Sequence, residues 1–480
     1  MNKIFNGKLS VGMTASIVYT LAMLFSKGIA IITTPIFTRI MPADQIGVVN
    51  LYQSWYSMIS VIATLALTSG GFQLSLKEFK GERNEYISSV LTITSITTII
   101  LGIVYFLAPG FWNQLTGLST SLMVLLLVHM FFYPAQEFWL MRQRYEYKYK
   151  IAGLFTIVSV FLAALVSVSA VVLASHNGIK QLGTVRLFAN YTVLILCSCV
   201  IWIYTFVKGK TLYSNKYWKF SLSLSIPMIG NSIAGQVLNV SDRTMISKMV
   251  GNSAVGIYST LYTISSLSLI AWAAINSSFI PFLYENLSRK EKISKIRSTS
   301  SAILFAFSGI AFLATMMAPE IVQILGTKQY YEAIYIMPPI ASGVFLTSVH
   351  NMYSNLLIYH KKTQCIMISS IVAAVVNVIL NYFGIQKFGY AAAAYATMIA
   401  YVVLSIMQVF IATKVHRKAV GESELFVYNS KFIALLSIST IGCCMMCLLL
   451  YHTALVRYVI LGLIVVLSWI NRTKLVQAFK

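Results

Sequence analysis

The sequence predicts an all-α polytopic membrane protein with about fourteen transmembrane helices. Three observations carry that reading. The chain of 480 residues is 58% hydrophobic and only 10% charged, with a mean hydropathy of +0.77, whereas soluble domains carry about 25% charged residues. Apolar runs of roughly 20 residues recur from end to end, each long enough to cross a hydrocarbon core of about 30 Å. The basic residues are gathered in alternate short loops between those runs.

In chain order, hydropathy places the spans at about 11–35, 48–69, 87–108, 119–141, 151–174, 187–207, 221–247, 255–283, 299–319, 334–359, 364–385, 390–412, 432–451 and 455–471. The first run begins near Val11, passes Phe25 and meets no small-residue cleavage site before the second, so no secretory signal is expected. With the N-terminus inside, 27 of the 36 Lys and Arg residues fall in inner segments and seven in outer ones. "MRQRYEYKYK", "KGKTLYSNKYWK" and "SRKEKISKIR" are the clearest inner loops. This asymmetry follows the positive-inside rule and puts both termini in the cytoplasm. It also accounts for the net charge of +23 without nucleic acid. The six cysteines lie in or beside apolar runs, without the His or carboxylate neighbours a metal site needs. No loop is long enough for a soluble catalytic domain, so the work of the chain falls to its membrane bundle.

Two stretches repeat. "TRIMPADQIGVVNLYQSWYSMIS" from Thr38 resembles "SKMVGNSAVGIYSTLYTISSLS" from Ser247, with Gly47 matching Gly256 and Arg39 matching Lys248. "GIKQLG" at Gly178 resembles "GIQKFG" at Gly384 at nearly the same offset. An even number of spans per copy keeps both copies in one orientation, a plan common among transporters. The expected division is an N-terminal six-helix lobe (1–207), a cytoplasmic linker (208–220), a C-terminal six-helix lobe (221–412) and two extra helices (413–480).

The first helix of each copy carries a polar face. On a helical wheel Ser16, Thr20, Thr34 and Thr38 fall within about 20° of Lys27. In the seventh span an arc of about 140° holds Asn231, Ser232, Gly235, Gln236, Asn239, Asp242 and Arg243. Facing each other, the two stripes would line a hydrated cavity, and ionisable residues within spans are functional candidates by default. The plainer alternative is that Asp242 and Arg243 form a structural pair and that Lys27 reaches for the interface. Adjacent helical residues face each other poorly, which counts against the simple pair. Arg39 and Lys248, at equivalent outer ends, either hold a phosphate or anchor at headgroups. Glu137 in "FFYPAQEFWLMRQR" is either a coupling carboxylate, like Asp242, or the partner of Arg142 one turn on. His350, Asn351, Asn377 and Asn381 are cavity polars or glue between helices, and His129 is expected to be structural.

"TTPIFTRIMPADQIGVVNLY", with Pro35, Arg39 and Gly47, and "SDRTMISKMVGNSAVGIYS", with Asp242, Arg243, Gly251, Gly256 and Tyr258, resemble the bacterial polysaccharide flippases. Those belong to a superfamily that also contains multidrug–cation antiporters and lipid II flippases. The resemblance implies two six-helix lobes about a central cavity, alternating access, and a substrate of oligosaccharide on undecaprenyl diphosphate for O-antigen or capsule assembly. It further implies the cytoplasmic (inner) membrane, no catalytic residue or bound cofactor beyond a coupling proton or Na+, and a polymerase and chain-length regulator as partners. Lys27 and Arg243 would receive the anionic headgroup, with Thr34, Thr38, Asn231, Gln236 and Asn239 contacting sugars. A cation–drug antiporter is the first alternative, and a membrane polysaccharide polymerase or ligase the second.

Overall fold

A computed structural model describes residues 11–68, 72–287, 289–325, 328–421 and 426–470, and every regular element among them is helical. The helices are α1 (Val11–Ile40), α2 (Ala43–Ala63), α3 (Phe72–Glu78), α4 (Arg83–Leu107), α5 (Pro109–Thr116) and α6 (Thr120–Tyr145). Next come α7 (Tyr149–His176), α8 (Leu182–Gly209), α9 (Asn215–Met249), α10 (Asn252–Ser265), α11 (Ser268–Asn286) and α12 (Ile293–Met316). The last six are α13 (Ala318–Leu325), α14 (Met337–Tyr359), α15 (Thr363–Phe388), α16 (Ala391–Val420), α17 (Ser430–Leu450) and α18 (Ala454–Ile470).

Each expected span meets a helix, with α10 and α11 together making the eighth. Ten stretches of the described residues are long and apolar enough to cross a membrane, fewer than the expected fourteen. The reasons are local. The polar faces of α2 and α9 lower their hydropathy, and α18 has only 17 residues. The side chains at the start of α1 lie outside the described set. The helix ends also follow the 209-residue offset: α1 stops at Ile40 and α9 at Met249, while α2 starts at Ala43 and α10 at Asn252. Gly251, at φ 122°, takes the positive-φ conformation that divides α9 from α10.

The chain forms two compact units, residues 1–236 and 237–480, with the boundary inside α9. In the first unit α8 is the hub and packs against α2, α4, α6 and α7, while α1 lies along α7. Its core joins Phe72, Tyr86, Val90, Phe138, Ile201 and Tyr217, with Phe72 stacked on Phe138 at 4.7 Å. The start of α9 is tied in by Tyr86 to Ser221 at 2.9 Å and by the Trp218 indole to the Ser89 carbonyl at 3.0 Å. At one end of this unit Glu146 accepts from Arg83, Arg142 and Lys148 at 3.2, 2.9 and 2.6 Å. Burial pushes its carboxyl up, but Lys148 and Arg142 outweigh that and hold the pKa down to about 2.

In the second unit α14 is the hub, buried along most of its length against α10, α12, α16 and α17. Its buried hydroxyls and amides are satisfied locally or by neighbours, as where Ser342 donates to the Pro338 carbonyl at 2.8 Å and Asn355 to the Asn276 side chain at 2.8 Å. α18 is fixed by Arg457, which donates to both carboxylate oxygens of Glu320 on α13 at 2.7 Å and to the Met316 carbonyl at 2.8 Å.

Candidate functional site

The seventh-span charges are buried together. Asp242 is 1% and Arg243 9% exposed. One Asp242 oxygen accepts from the Arg243 backbone N–H at 2.8 Å and from its guanidinium at 3.1 Å. The other accepts from the Tyr258 hydroxyl at 2.5 Å. The guanidinium lies over the Tyr262 ring, 4.6 Å from its centroid, and Tyr262 hydrogen-bonds Tyr401. His350 stacks on Tyr401 at 6.0 Å and 12°. Sequence spacing argued against a direct Asp242–Arg243 pair, yet the pair forms. The guanidinium reaches the carboxylate of the preceding residue, and tyrosines from α10 and α16 close around the pair. The attraction is strong in this dry setting, and so is the cost of removing either partner.

The remaining predicted residues of α9 and its end lie differently. Gln236 is half-buried and Lys248 exposed, while the side chains of Asn231 and Asn239 fall outside the described set. On α1, Lys27 and Arg39 are exposed. Thr34 donates to the Ala30 carbonyl at 2.7 Å, and buried Thr38 to the Pro35 carbonyl at 3.2 Å. The hydroxyls of the stripe are thus partly engaged by their own helix, and Lys27 carries its exposed charge. Ser16 and Thr20 have side chains outside the described set.

Asn377 and Asn381 on α15 are fully buried. Asn377 accepts from Ser241 at 3.2 Å and from Asn381 at 3.0 Å, and donates to Thr397 at 3.3 Å. They join α15 to α9 and α16, which is the glue role.

Glu137 departs from its expected local salt bridge. Arg142 instead reaches Glu146 and the Asn84 side chain, the latter at 2.6 Å. Glu137 accepts from Tyr133, one turn earlier on α6, at 2.7 Å. Around it the rings of Tyr52, Tyr56, His129, Tyr133 and Tyr191 form a continuous aromatic cluster from α2, α6 and α8. The i, i+4 spacing of Tyr133 and Glu137 was readable in advance. Tyr401 lies 159 positions from Asp242 and left no such signal.

Ten stretches long and apolar enough to cross a membrane, with an ion pair buried within one long helix and no appended domain among the described residues, define a multi-pass membrane protein. The structural comparisons agree in fold. The lipid II flippase MurJ in an inward closed conformation matches with a TM-score of 0.65 at 17% identity, covering 95% of this chain and 99% of that one. An inward-facing multidrug resistance transporter of the MATE family matches with a TM-score of 0.55 at 14% identity, covering 83% and 96%. Among curated proteins, the "Probable low-salt glycan biosynthesis flippase Agl15" of Haloferax volcanii is 23% identical over 403 residues, 82% of each chain. A Haemophilus influenzae protein of the Lsg locus is 23% identical over 400 residues, 78% of this chain and 93% of its own length.

The polysaccharide biosynthesis protein family matches residues 14–287, more than half of the chain, and the chain belongs to that family. The MatE family also matches residues 227–383.

Proposed function

We propose that this protein is a flippase that carries a lipid-linked oligosaccharide across the cytoplasmic membrane by alternating access, for assembly of a surface polysaccharide. Membership of the polysaccharide biosynthesis family in a chain with the fold of membrane carriers is the observation that supports it most. The chemistry fits an anionic headgroup. A diphosphate leaving the interface needs cationic partners, and Lys27 offers an exposed charge within the polar face of α1. The sugars need hydrogen-bonding groups, one of which half-buried Gln236 of the α9 arc offers. Undecaprenyl diphosphate is the carrier this reading adopts, with O-antigen or capsule as the product and both termini in the cytoplasm. A polymerase and a chain-length regulator would take up the flipped unit. No catalytic step is assigned to the chain.

The MatE match favours a cation antiporter as the second reading. Against it, Asp242 is engaged by Arg243 and Tyr258, so the second unit presents no uncompensated carboxylate there to a cationic drug.

Replacement of Lys27 by Ala is expected to abolish polysaccharide export in cells that depend on this chain, while membrane levels of the protein stay normal. Undiminished export by the variant would contradict the assignment of Lys27.

A further inference from the structure

In the second unit α11 and α12 are joined by a short connection and pack against each other. They nevertheless leave a groove of about 520 Å³ between them. Small side chains make the room. Ala274 and Ser278 stand one turn apart on α11, Thr299 and Ala306 line the α12 side, and Phe282 and Ile303 form walls. Ser278 donates to the Ala274 carbonyl of its own helix at 3.4 Å, so the groove presents mostly carbon. Water finds few partners in such a place, and an empty groove forfeits dispersion contacts. A hydrocarbon chain is the occupant that this chemistry calls for.

One end of the same face is cationic. On α12, Lys295, Ile303 and Ala306 fall within about 40° of Thr299, so the charge and the groove share one stripe. Lys292, the N-cap of α12, lies about one turn before Lys295. Lys295 is exposed and Lys292 half-buried, and neither enters an ion pair among the described residues. Glu285, also exposed, follows Phe282 by one turn of α11, and Arg289, Glu291 and Arg297 flank this end. On the groove face two lysines therefore stand against one carboxylate. That balance suits the single charge of a phosphodiester better than the several charges of a diphosphate, and Glu285 is free to accept from a headgroup hydroxyl. Basic pockets between spanning helices hold anionic headgroups in this way.

We infer that the α11–α12 groove is an accessory site for an anionic phospholipid. One acyl chain lies along Ala274, Ser278 and Ala306, and the phosphodiester rests on Lys292 and Lys295. The second acyl chain stays in the bilayer. This inference does not rest on the flippase reading, and the groove is formed by residues other than the Asp242–Arg243 pair.

The test uses the full chain in neutral detergent micelles doped with dioleoyl phosphatidylglycerol or dioleoyl phosphatidylcholine, with retained lipids counted by native mass spectrometry. One tightly held phosphatidylglycerol is expected, with no phosphatidylcholine held as tightly. Lys292→Gln combined with Lys295→Gln should weaken its retention about 10- to 30-fold. Ala306→Phe, which fills the groove and keeps both lysines, should abolish it, and Ser278→Phe on the exposed opposite wall should do the same. Lys208→Gln with Lys210→Gln, which removes two exposed charges at the end of α8, should leave it unchanged. Equal retention of the two lipids by the wild type overturns the site, as does an equal loss in the α8 control. Loss in the lysine variant with full retention in both phenylalanine variants overturns the groove. Displacement of the bound phosphatidylglycerol by equimolar undecaprenyl diphosphate would make the groove a substrate site and overturn the phospholipid assignment.

Discussion

At the scale of single residues, the chain spends its few intramembrane charges sparingly and gives each a distinct setting. Asp242 and Arg243 were legible from the sequence as a polar anomaly on an apolar helix, but their pairing was not. The tyrosines that enclose them come from α10 and α16, and no local pattern announces a contact across 159 positions. Asp242→Asn is expected to destabilise the protein by about 3–5 kcal/mol, because it leaves the arginine buried without its counter-charge. Replacing the pair by Asp242→Leu with Arg243→Met should recover much of that loss. Denaturation midpoints of the purified variants in detergent measure both. Asn377 makes three polar contacts, so Asn377→Leu should cost about 1–3 kcal/mol by the same assay, since it strands buried partners.

At the scale of helices, hydropathy located each apolar segment well, since an α-helix satisfies its own backbone where no water can. Hydropathy did not divide the eighth span into α10 and α11, nor find the short helices α3, α5 and α13, which lack the length that a hydropathy window rewards. Close approaches were equally hidden. A Cβ on Gly209 would lie 2.3 Å from the Asn84 carbonyl oxygen and 2.2 Å from the Ser88 hydroxyl. Gly209→Ala should therefore force α8 from α4 and lower stability by about 1–3 kcal/mol. Gly102, with nothing within 4 Å, is the control whose replacement by Ala should have no such cost. The Glu146 cluster joins α4 to the end of α6 and makes a pH prediction. Its folded pKa lies below its ordinary 4.5, at about 2, so its stabilisation is complete above pH 4.5 and is lost as the pH falls toward 2. The advantage of wild type over Glu146→Gln in thermal unfolding should be full at pH 7 and shrink across that window. A constant difference would show that the ion pairs contribute nothing.

At the scale of the molecule, the carrier fold was the most legible feature, because composition, span spacing and loop charge all depend on the bilayer rather than on tertiary detail. The repeat offset of 209 residues reappears in the helix ends. The substrate was legible only through likeness, since hydroxyls, amides and a few cations would serve many polar ligands. The central claim is that this chain moves a glycan on an anionic lipid carrier. It is tested most directly by reconstituting the purified protein in vesicles that contain a diphosphate-linked oligosaccharide lipid, then measuring the rate at which the sugar becomes accessible to an impermeant glycosidase outside. The account predicts exposure well above that of protein-free vesicles, and slowed to their rate by Lys27→Ala. Exposure no faster than in protein-free vesicles, with the protein folded and inserted, would contradict it.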